Sequence, residues 1–120
     1  MQRGIRGAIT VEENSTEAIK NATVELLSQI IEQNKLDISQ IAYVMFSMTQ
    51  DLDEVYPAKF AREEFDFKYV PMVCYQELNI KNSLKMCLRV MFVVNTDLKQ
   101  NEIKHVYLKC ASVLRPDLAK

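Results

Sequence analysis

The segment that most constrains this chain is residues 86–96, Met-Cys-Leu-Arg-Val-Met-Phe-Val-Val-Asn-Thr, which is typical of a strand that is apolar on both faces. Successive side chains of a strand point to opposite faces of its sheet. A strand of this kind therefore lies inside a sheet that needs a covering layer on each side. The rest of the sequence has to supply those two layers or leave one of them to another molecule.

One long amphipathic helix supplies the first layer. Between residues 15 and 34, apolar side chains recur every three or four positions, which predicts a helix with one buried face. Asn14 and Glu17 predict the N-cap pair of this helix, and Asn34 predicts its C′ residue. A second helix is predicted over residues 57–65, where a proline suits the first turn, but it is too short to cover the other face of a sheet.

Four more segments have the apolar alternation or the β-branched composition of strands. They are residues 3–11, 41–48, 69–75 and 105–111, while residues 97–104 predict a turn or short helix. The order β-α-β-α-β-β-β predicts one α+β domain over residues 1–120, with a mixed five-stranded sheet, one long helix and short helical turns. Because one helix covers only one face, we predict that another subunit covers the second face, which makes the protein a homo-oligomer.

The composition excludes several kinds of site. The chain has two glycines, both in its first seven residues, so a glycine-rich phosphate loop cannot be written, and its single histidine cannot form a two-histidine metal site. A net charge of −1 argues against a nucleic-acid-binding protein. The apolar runs are too short to span a membrane, and the start lacks the apolar core of a secretory signal. Three cysteines without a Cys-x-x-Cys spacing predict free thiols and a cytoplasmic location.

Two arginines stand inside predicted strands. Arg89 interrupts the strand over residues 86–96, where an ionised side chain is costly to bury unless it is paired. It either pairs with a structural carboxylate or offers its guanidinium to an anion or a developing oxyanion. Arg6 lies between Gly4 and Gly7 in the first strand, and it is either an exposed edge residue or a second part of the same anion site.

Other candidate residues each have a structural and a functional interpretation. Glu77 is either a solvated carboxylate or an acceptor for a substrate hydroxyl, and Cys74 is either a small core residue or a nucleophile. His105 is the only histidine that could serve that thiol as a base, and otherwise it lies at the surface or faces a partner. Tyr107 is either a core aromatic or a site residue that shares a strand face with His105 and Lys109. Three further cations are either solvated or add positive charge to the site: Lys59, Arg62 and Arg115.

Six segments, taken in order, are similar to one enzyme family. They are Arg3-Gly-Ile-Arg-Gly-Ala, Tyr56-Pro-Ala-Lys-Phe-Ala-Arg, Tyr69-Val-Pro-Met-Val-Cys-Tyr-Gln-Glu, Leu84-Lys-Met-Cys-Leu-Arg-Val-Met, His105-Val-Tyr-Leu and Val113-Leu-Arg-Pro-Asp. With their spacing they resemble the small, trimeric, monofunctional chorismate mutases of bacteria over essentially the whole chain. The resemblance implies a homotrimer that forms a pseudo-α/β-barrel, with active sites between subunits. It also implies conversion of chorismate into prephenate, towards phenylalanine and tyrosine, without a cofactor or metal.

The implied reaction is an intramolecular Claisen rearrangement, which needs no nucleophile, general base or metal. The site has to hold chorismate in a compact conformer and place positive charge beside the ether oxygen. By the resemblance, Arg89 lies beside that oxygen, and Arg6 with Tyr107 binds the enolpyruvyl carboxylate. Glu77 binds the ring hydroxyl together with the backbone or thiol of Cys74. The implied pocket lining is Tyr56, Ala58, Met72, Val73 and Leu114, and Lys59, Arg62 and Arg115 add peripheral positive charge.

The chain departs from the family pattern at three places. Tyr56 replaces a phenylalanine, which is a mild change, and Val73 replaces a threonine near the hydroxyl site. Asn82-Ser83 replaces a glycine pair, which predicts a stiffer loop before the fourth strand. The chain also stops at Lys120, a little past Arg115, which argues against extensive closure of the tail over the site.

Two other functions compete with this one. The first is a non-catalytic trimeric module that binds small carboxylates, or an imine-deaminase-like trimer, because such proteins share the architecture. Glu77 argues against plain anion binding, since a carboxylate beside the anion would have no use there. The second is an enzyme that depends on Cys74 as its nucleophile, which requires a reactive thiol.

Overall fold

The computed structural model describes residues 1–118 and contains a mixed sheet of five strands. The strands are β1 (Gln2–Thr10), β2 (Ile41–Met48), β3 (Met72–Gln76), β4 (Cys87–Asn95) and β5 (Val106–Leu108), in the order β3-β2-β4-β1-β5. β4 pairs antiparallel with β1 and β2, whereas β1–β5 and β2–β3 are parallel pairs. The predicted α+β fold is confirmed, and the strand that is apolar on both faces lies at the centre of the sheet. The last two residues of the predicted domain, 119–120, lie outside the described residues.

Two helices, α1 (Thr16–Gln33) and α2 (Pro57–Glu64), pack into the same apolar core on one side of the sheet. Leu26 and Ile30 of α1 are fully buried there. Gly7 of β1 allows this close packing, because a Cβ atom at that position would lie 2.6 Å from Cδ1 of Ile30. The helix that the periodicity predicts is therefore confirmed within two residues of its expected ends.

The caps of α1 differ from the predicted ones. Ser15 is the N-cap, and its hydroxyl accepts a hydrogen bond from the Ala18 N–H at 3.1 Å. Asn14 instead donates to the Asp53 carboxylate at 2.7 Å. At the other end Asn34 is the C-cap, and Lys35 takes the left-handed backbone, with φ of 49°, that a C′ residue adopts. Asn14 and Ser15 are both good N-cap residue types, so the sequence alone did not distinguish them.

The predicted strand over residues 105–111 is mostly wrong. β5 ends at Leu108 because Lys109 has a left-handed backbone, with φ of 54°, and a 3-10 helix follows over Lys109–Leu114. Lys109 therefore does not share a strand face with Tyr107. The predicted strand over residues 69–75 starts later, at Met72. Two other short 3-10 helices occupy Ile38–Gln40 and Gln100–Glu102.

The two faces of the sheet have different surroundings. The covered face, under α1 and α2, consists of fully buried apolar side chains: Ile5, Ile9, Val44, Phe46, Leu88 and Phe92. The open face consists of the alternate positions of the same strands, of which many are half-buried or exposed: Arg6, Ala8, Tyr43, Met45, Ser47, Val73, Tyr75, Arg89, Met91 and Val93. Within residues 1–118 both α-helices thus cover the same face, and on the other face only the 3-10 helix Lys109–Leu114 packs at one end, where Ala111 forms a small buried cluster with Ala8, Cys87 and Tyr107. No helix among these residues is both long enough and apolar enough to cross a membrane.

Candidate active site

A cavity of about 440 Å³ lies on the open face, above β1, β2 and β4. It brings together five of the residues predicted for the site: Arg6, Arg89, Tyr107, Leu114 and Arg115. Its other lining includes apolar and small side chains of the open face, such as Ala8, Met45 and Met91. The cavity therefore combines three arginines with an apolar floor, which suits an organic anion.

The strand register arranges the centre of this cavity. Ala8 pairs with both Tyr107 and Arg89, and Ser47 pairs with both Arg89 and Tyr75. These five residues form one row across all five strands, which we call the cross-sheet row. The small side chains on either side of Arg89 leave space between the two tyrosines. Arg6 lies two residues from Ala8 on the same face, so it is a diagonal neighbour of Arg89.

Arg89 is held at one side by Glu77. The Nε atom of Arg89 lies 3.4 Å from Oε2 of Glu77, and that same oxygen accepts a short hydrogen bond from the Ser47 hydroxyl. The Glu77 N–H donates to the Met48 carbonyl at 2.7 Å, which fixes the carboxylate at the end of β3. Among residues 1–118 the buried Nε has no hydrogen-bond partner, since the Glu77 contact has an ion-pair distance without hydrogen-bond geometry. The structural interpretation of Arg89 is thus met in part, and its side chain is still 38% exposed towards the cavity.

Arg6 is positioned by His105, the residue directly before the edge strand β5, which pairs with β1. Its backbone N–H donates to Nδ1 of His105 at 2.9 Å, just before the β1–β5 pairing begins. Burial lowers the pKa of His105, and the charges of Arg6 and Arg115 lower it further. His105 is therefore a neutral hydrogen-bond acceptor rather than the partner of a thiol.

Arg115 enters the cavity from the segment after the last 3-10 helix. Its guanidinium makes a two-pronged contact with Asp117, with Nε–Oδ1 at 3.1 Å and Nη2–Oδ2 at 2.9 Å. This hydrogen bonding raises the pKa of Arg115 and lowers the pKa of the Asp117 carboxyl. Asp117 does not line the cavity, and its pairing with Arg115 was not predicted, although an aspartate two residues after an arginine is a visible signal for such a pair.

Glu77 lines a neighbouring cavity of about 310 Å³ and meets this one through its ion pair with Arg89. The structure does not bring the remaining predicted residues to the Arg89 cavity within one chain. Met72 and Cys74 point to the covered face, because they alternate with Val73 and Tyr75 along β3. Val73 lies on the open face but lines a separate cavity of about 510 Å³ beside β2.

The remaining predicted residues lie on or next to α2. Ala58 is buried in the core, Tyr56 is 70% exposed, and Lys59 forms an exposed ion pair with Glu63. Arg62 is exposed on the same helix, near enough to Cys74 for its charge to act on that thiol. The predicted site residues thus fall into two groups on different parts of the chain.

The cysteines have no features of nucleophiles. Burial raises the pKa of Cys74, and a backbone hydrogen bond from Ala58 and the charge of Arg62 only partly oppose this. Burial also raises the pKa of Cys87 to about 11. Both thiols are therefore protonated at neutral pH.

The part of the chain that the structure describes also holds no cluster of three or more side chains able to bind a metal ion.

Sequence reasoning missed Ser47, which lies beside Arg89 in the cross-sheet row, and Tyr75, which follows Ser47 at the end of the row. Their signal is their position in predicted strands, but the register that puts them in one row with Arg89 is a tertiary property. The replacement of a glycine pair by Asn82-Ser83 also has a visible effect on the loop before β4. Asn82 has φ of 65°, so this asparagine adopts the left-handed conformation that a glycine would take more easily.

Comparisons with known proteins agree with this geometry. The family model for chorismate mutase type I matches residues 2–118. The chain is 47% identical over 119 residues to chorismate mutase AroH of Bacillus subtilis (strain 168), covering 99% of this chain and 94% of that one. It is 44% identical over 119 residues to chorismate mutase AroH of Thermus thermophilus, covering 98% and 97%. The solved structure of a chorismate mutase from Clostridium thermocellum matches with a TM-score of 0.89 and 40% identity, covering 92% of this chain and 98% of that one.

Proposed function

This chain belongs to the chorismate mutase type I family and is an isomerase, and we propose that it converts chorismate into prephenate at the cavity on the open face. Chorismate carries two carboxylates and one ring hydroxyl, so it needs cations for the former and a hydrogen-bond acceptor for the latter. The observation that carries the proposal is the placement of Arg89 in the cross-sheet row, with Glu77 on one side and Arg6 diagonally beside it.

The proposed step is a concerted rearrangement within one molecule. The ether C–O bond breaks while a new C–C bond forms, and no atom, electron or proton enters or leaves. Negative charge develops on the ether oxygen in the transition state, so a fixed cation at that oxygen lowers the barrier. The site also holds the enolpyruvyl group over the ring, which removes orientational freedom before the step.

We assign the roles as follows. The Arg89 guanidinium donates to the ether oxygen, and its ion pair with Glu77 fixes its orientation. Arg6 and Tyr107 bind the enolpyruvyl carboxylate from the other side of the cavity. Glu77 accepts from the ring hydroxyl with the oxygen lone pairs that Ser47 leaves free. Arg115 and Leu114 close the cavity at its rim.

We further propose that the enzyme is a homotrimer with its active sites between subunits. Residues at the α2 side of one chain, such as Tyr56, Lys59 and Arg62, cannot reach the chain's own cavity, because they lie beyond the covered face. A neighbouring subunit placed on the open face would bring its α2 side to the cavity. The apolar surface exposed on that face supports this arrangement: Tyr43, Val73 and Tyr75 are 41%, 46% and 59% exposed.

Two features predicted from the sequence stay predictions. They are the single-domain organisation over residues 1–120 and the cytoplasmic location. The absence of a cofactor also stays an expectation that belongs to the proposed mechanism.

Turnover of chorismate tests the proposed function. We expect the protein to speed the loss of chorismate absorbance over that in buffer, with prephenate as the single product by chromatography. A matched variant without one cation on the helix side, Lys20→Gln, should turn over chorismate like the parent. Chorismate binding without turnover would contradict the proposal and favour the carboxylate-binding module instead.

Sedimentation equilibrium tests the assembly. The expected mass is three times the 13.9 kDa of one chain. A charge on the open face, as in Tyr43→Glu, should release monomers, while Gln29→Glu on α1 should leave the trimer intact. A parent protein that stays monomeric at every concentration would contradict the trimer.

A further inference from the structure

The histidine that contacts Arg6 has no part in the proposed chemistry, although it is the only histidine in the chain. It lies on the other side of Arg6 from the substrate cavity, where it lines a second cavity of about 390 Å³ with Gly4, Arg6, Met91 and Gln100. Its Nδ1 accepts the Arg6 N–H at 2.9 Å. β5 pairs with β1 only from Gly7 onwards, so the imidazole takes the place of a strand partner for Arg6.

The segment that carries this imidazole is itself fixed from both sides. The Asn34 side chain, at the end of α1, donates to the Lys104 carbonyl at 2.8 Å and accepts from the Lys104 N–H at 2.8 Å. On the other side His105 runs directly into β5. The backbone beside His105 is therefore anchored to the end of α1 on one side and to the sheet on the other, and this makes the imidazole a rigid support for the Arg6 backbone.

The hydrogen bond determines the protonation state of the ring. Because an N–H donates to Nδ1, that nitrogen carries no proton, and the neutral ring carries its proton on Nε2. The charged groups that act on the ring are Arg6 of β1 and Arg115 after the last 3-10 helix. Its neighbours from β4 and from the 3-10 helix at Gln100–Glu102 are Met91 and Gln100, which are uncharged. Both acting charges are positive, so they oppose protonation of His105.

We propose that His105 is a positioning residue for Arg6, and that its neutral form with the proton on Nε2 holds the β1 backbone so that the Arg6 guanidinium reaches the substrate carboxylate. This proposal rests on the function proposed for Arg6. A proton on Nδ1 would place a donor against the donor N–H of Arg6. The hydrogen bond would be lost, and a third cation would stand beside Arg6 and Arg115.

Nuclear magnetic resonance of histidine-labelled protein tests the first half of the proposal without using chorismate. One histidine gives one set of ring nitrogen signals, so the assignment needs no other variant. We expect the tautomer with the proton on Nε2 at neutral pH, and a titration midpoint below the usual 6.5. The opposite tautomer, or a midpoint at or above 6.5, would overturn the proposal even if the enzyme is fully active.

Kinetics of two variants test the second half. In His105→Asn the side-chain oxygen can accept from Arg6 at about the position of Nδ1, and it does not titrate. In His105→Ala the acceptor is lost. At pH 7.5 we expect His105→Asn to keep kcat/KM close to the parent value, and His105→Ala to lose about tenfold, mainly through KM, as for one lost hydrogen bond.

The pH profile distinguishes positioning from a merely structural role. For the parent, kcat/KM should fall at acid pH with the midpoint found by magnetic resonance, and His105→Asn should lack that fall. A flat parent profile across a completed histidine titration would overturn the proposal, as would equal activity of the two variants. If the parent shows no turnover while the resonance data agree, the proposed function has failed and the hydrogen bond stands.

Discussion

The two faces of the sheet use the same strands for different purposes. On the covered face, Phe92 and its neighbours are fully buried under helices, and each contact serves to exclude water. On the open face, the alternate β4 residues Met91 and Arg89 are only half-buried, and the floor of the cavity combines charges with small side chains. Stability and activity are therefore expected to separate by face. Substitutions on the covered face of a strand should mainly lower stability, and substitutions at the alternate, open-face positions should mainly lower activity.

The largest expected effect is on stability, and it tests the comparison within β4. Phe92→Ala removes a fully buried ring and should lower the free energy of unfolding by about 3–5 kcal/mol. Val93→Ala, on the open face, removes a half-buried side chain and should cost about 1 kcal/mol. Denaturant unfolding at one fixed protein concentration measures both. Equal losses would mean that the two faces are equally buried, and the comparison would be broken.

The next effect is on catalysis, with stability nearly unchanged. Arg89→Gln removes the cation proposed for the ether oxygen and should lower kcat by roughly 10²–10³, because one fixed donor to a developing oxyanion is typically worth that much. The unfolding midpoint should move little, since the side chain is partly exposed and Glu77 keeps its contact with Ser47. Lys20→Gln serves as the matched loss of one cation. A rise in KM with kcat unchanged would assign Arg89 to substrate binding alone.

The two glycines give a third test, because they lie on opposite faces of β1. A Cβ at Gly7 would lie 2.6 Å from Ile30 and 3.1 Å from Leu26, whereas a Cβ at Gly4 would meet only the Met91 sulfur closely, at 3.1 Å. Neither glycine has positive φ, so alanine fits both backbones. Gly7→Ala should cost about 1–3 kcal/mol by overpacking.

Gly4→Ala is the matched control. The methionine side chain can move aside, so this variant should cost less than about 1 kcal/mol. Thermal unfolding of the two variants at one concentration measures the difference. A larger loss for Gly4→Ala would show that the open face is packed as tightly as the covered one.

The covered face was largely predictable from the sequence, and the open face was not. Periodicity of apolar residues located α1 and the strands, since burial of one stripe is a local pattern that packing preserves. Arg6 and Arg89 could be identified because a cation inside an apolar strand is exceptional. Ser47 and Tyr75 could not be identified, because their place in the same row as Arg89 depends on the register between strands.

Long-range hydrogen bonds escaped prediction for a similar physical reason. The hydrogen bond between Arg6 and His105 joins residues 99 apart in sequence, and the local sequence around neither residue predicts it. The early end of β5 depends on the backbone angle of one residue, Lys109, whose side chain has no preference for that angle. Local patterns thus predict elements, while the site arises from how the elements are aligned.

A smaller effect is expected from pH on stability, and it belongs to the edge of the open face. The pKa of His105 is lowered in the folded protein, so between that pKa and 6.5 the unfolded chain binds more protons. The free energy of unfolding should therefore fall as pH drops through this range, by at most about 1.4 kcal/mol per pH unit, and be unaffected by His105 above it. His105→Asn should remove this slope. A slope of the opposite sign would mean that the folded state favours the charged ring.

The smallest expected effect is on thiol chemistry, where the comparison predicts no loss of activity. Cys110 is exposed, whereas Cys74 is half-buried towards the covered face and Cys87 is buried beneath the open face. Burial raises the pKa of both inner thiols, so iodoacetamide at pH 7.5 should modify Cys110 first. Mass spectrometry of timed samples gives the order of labelling, and Cys110→Ser should abolish the fast phase. Chorismate turnover should stay constant through that phase, because the proposed rearrangement uses no thiolate. Activity that falls in step with labelling of Cys74, together with an inactive Cys74→Ser variant, would instead support the thiol-dependent enzyme, and it would place a reactive group on the face that we describe as purely structural.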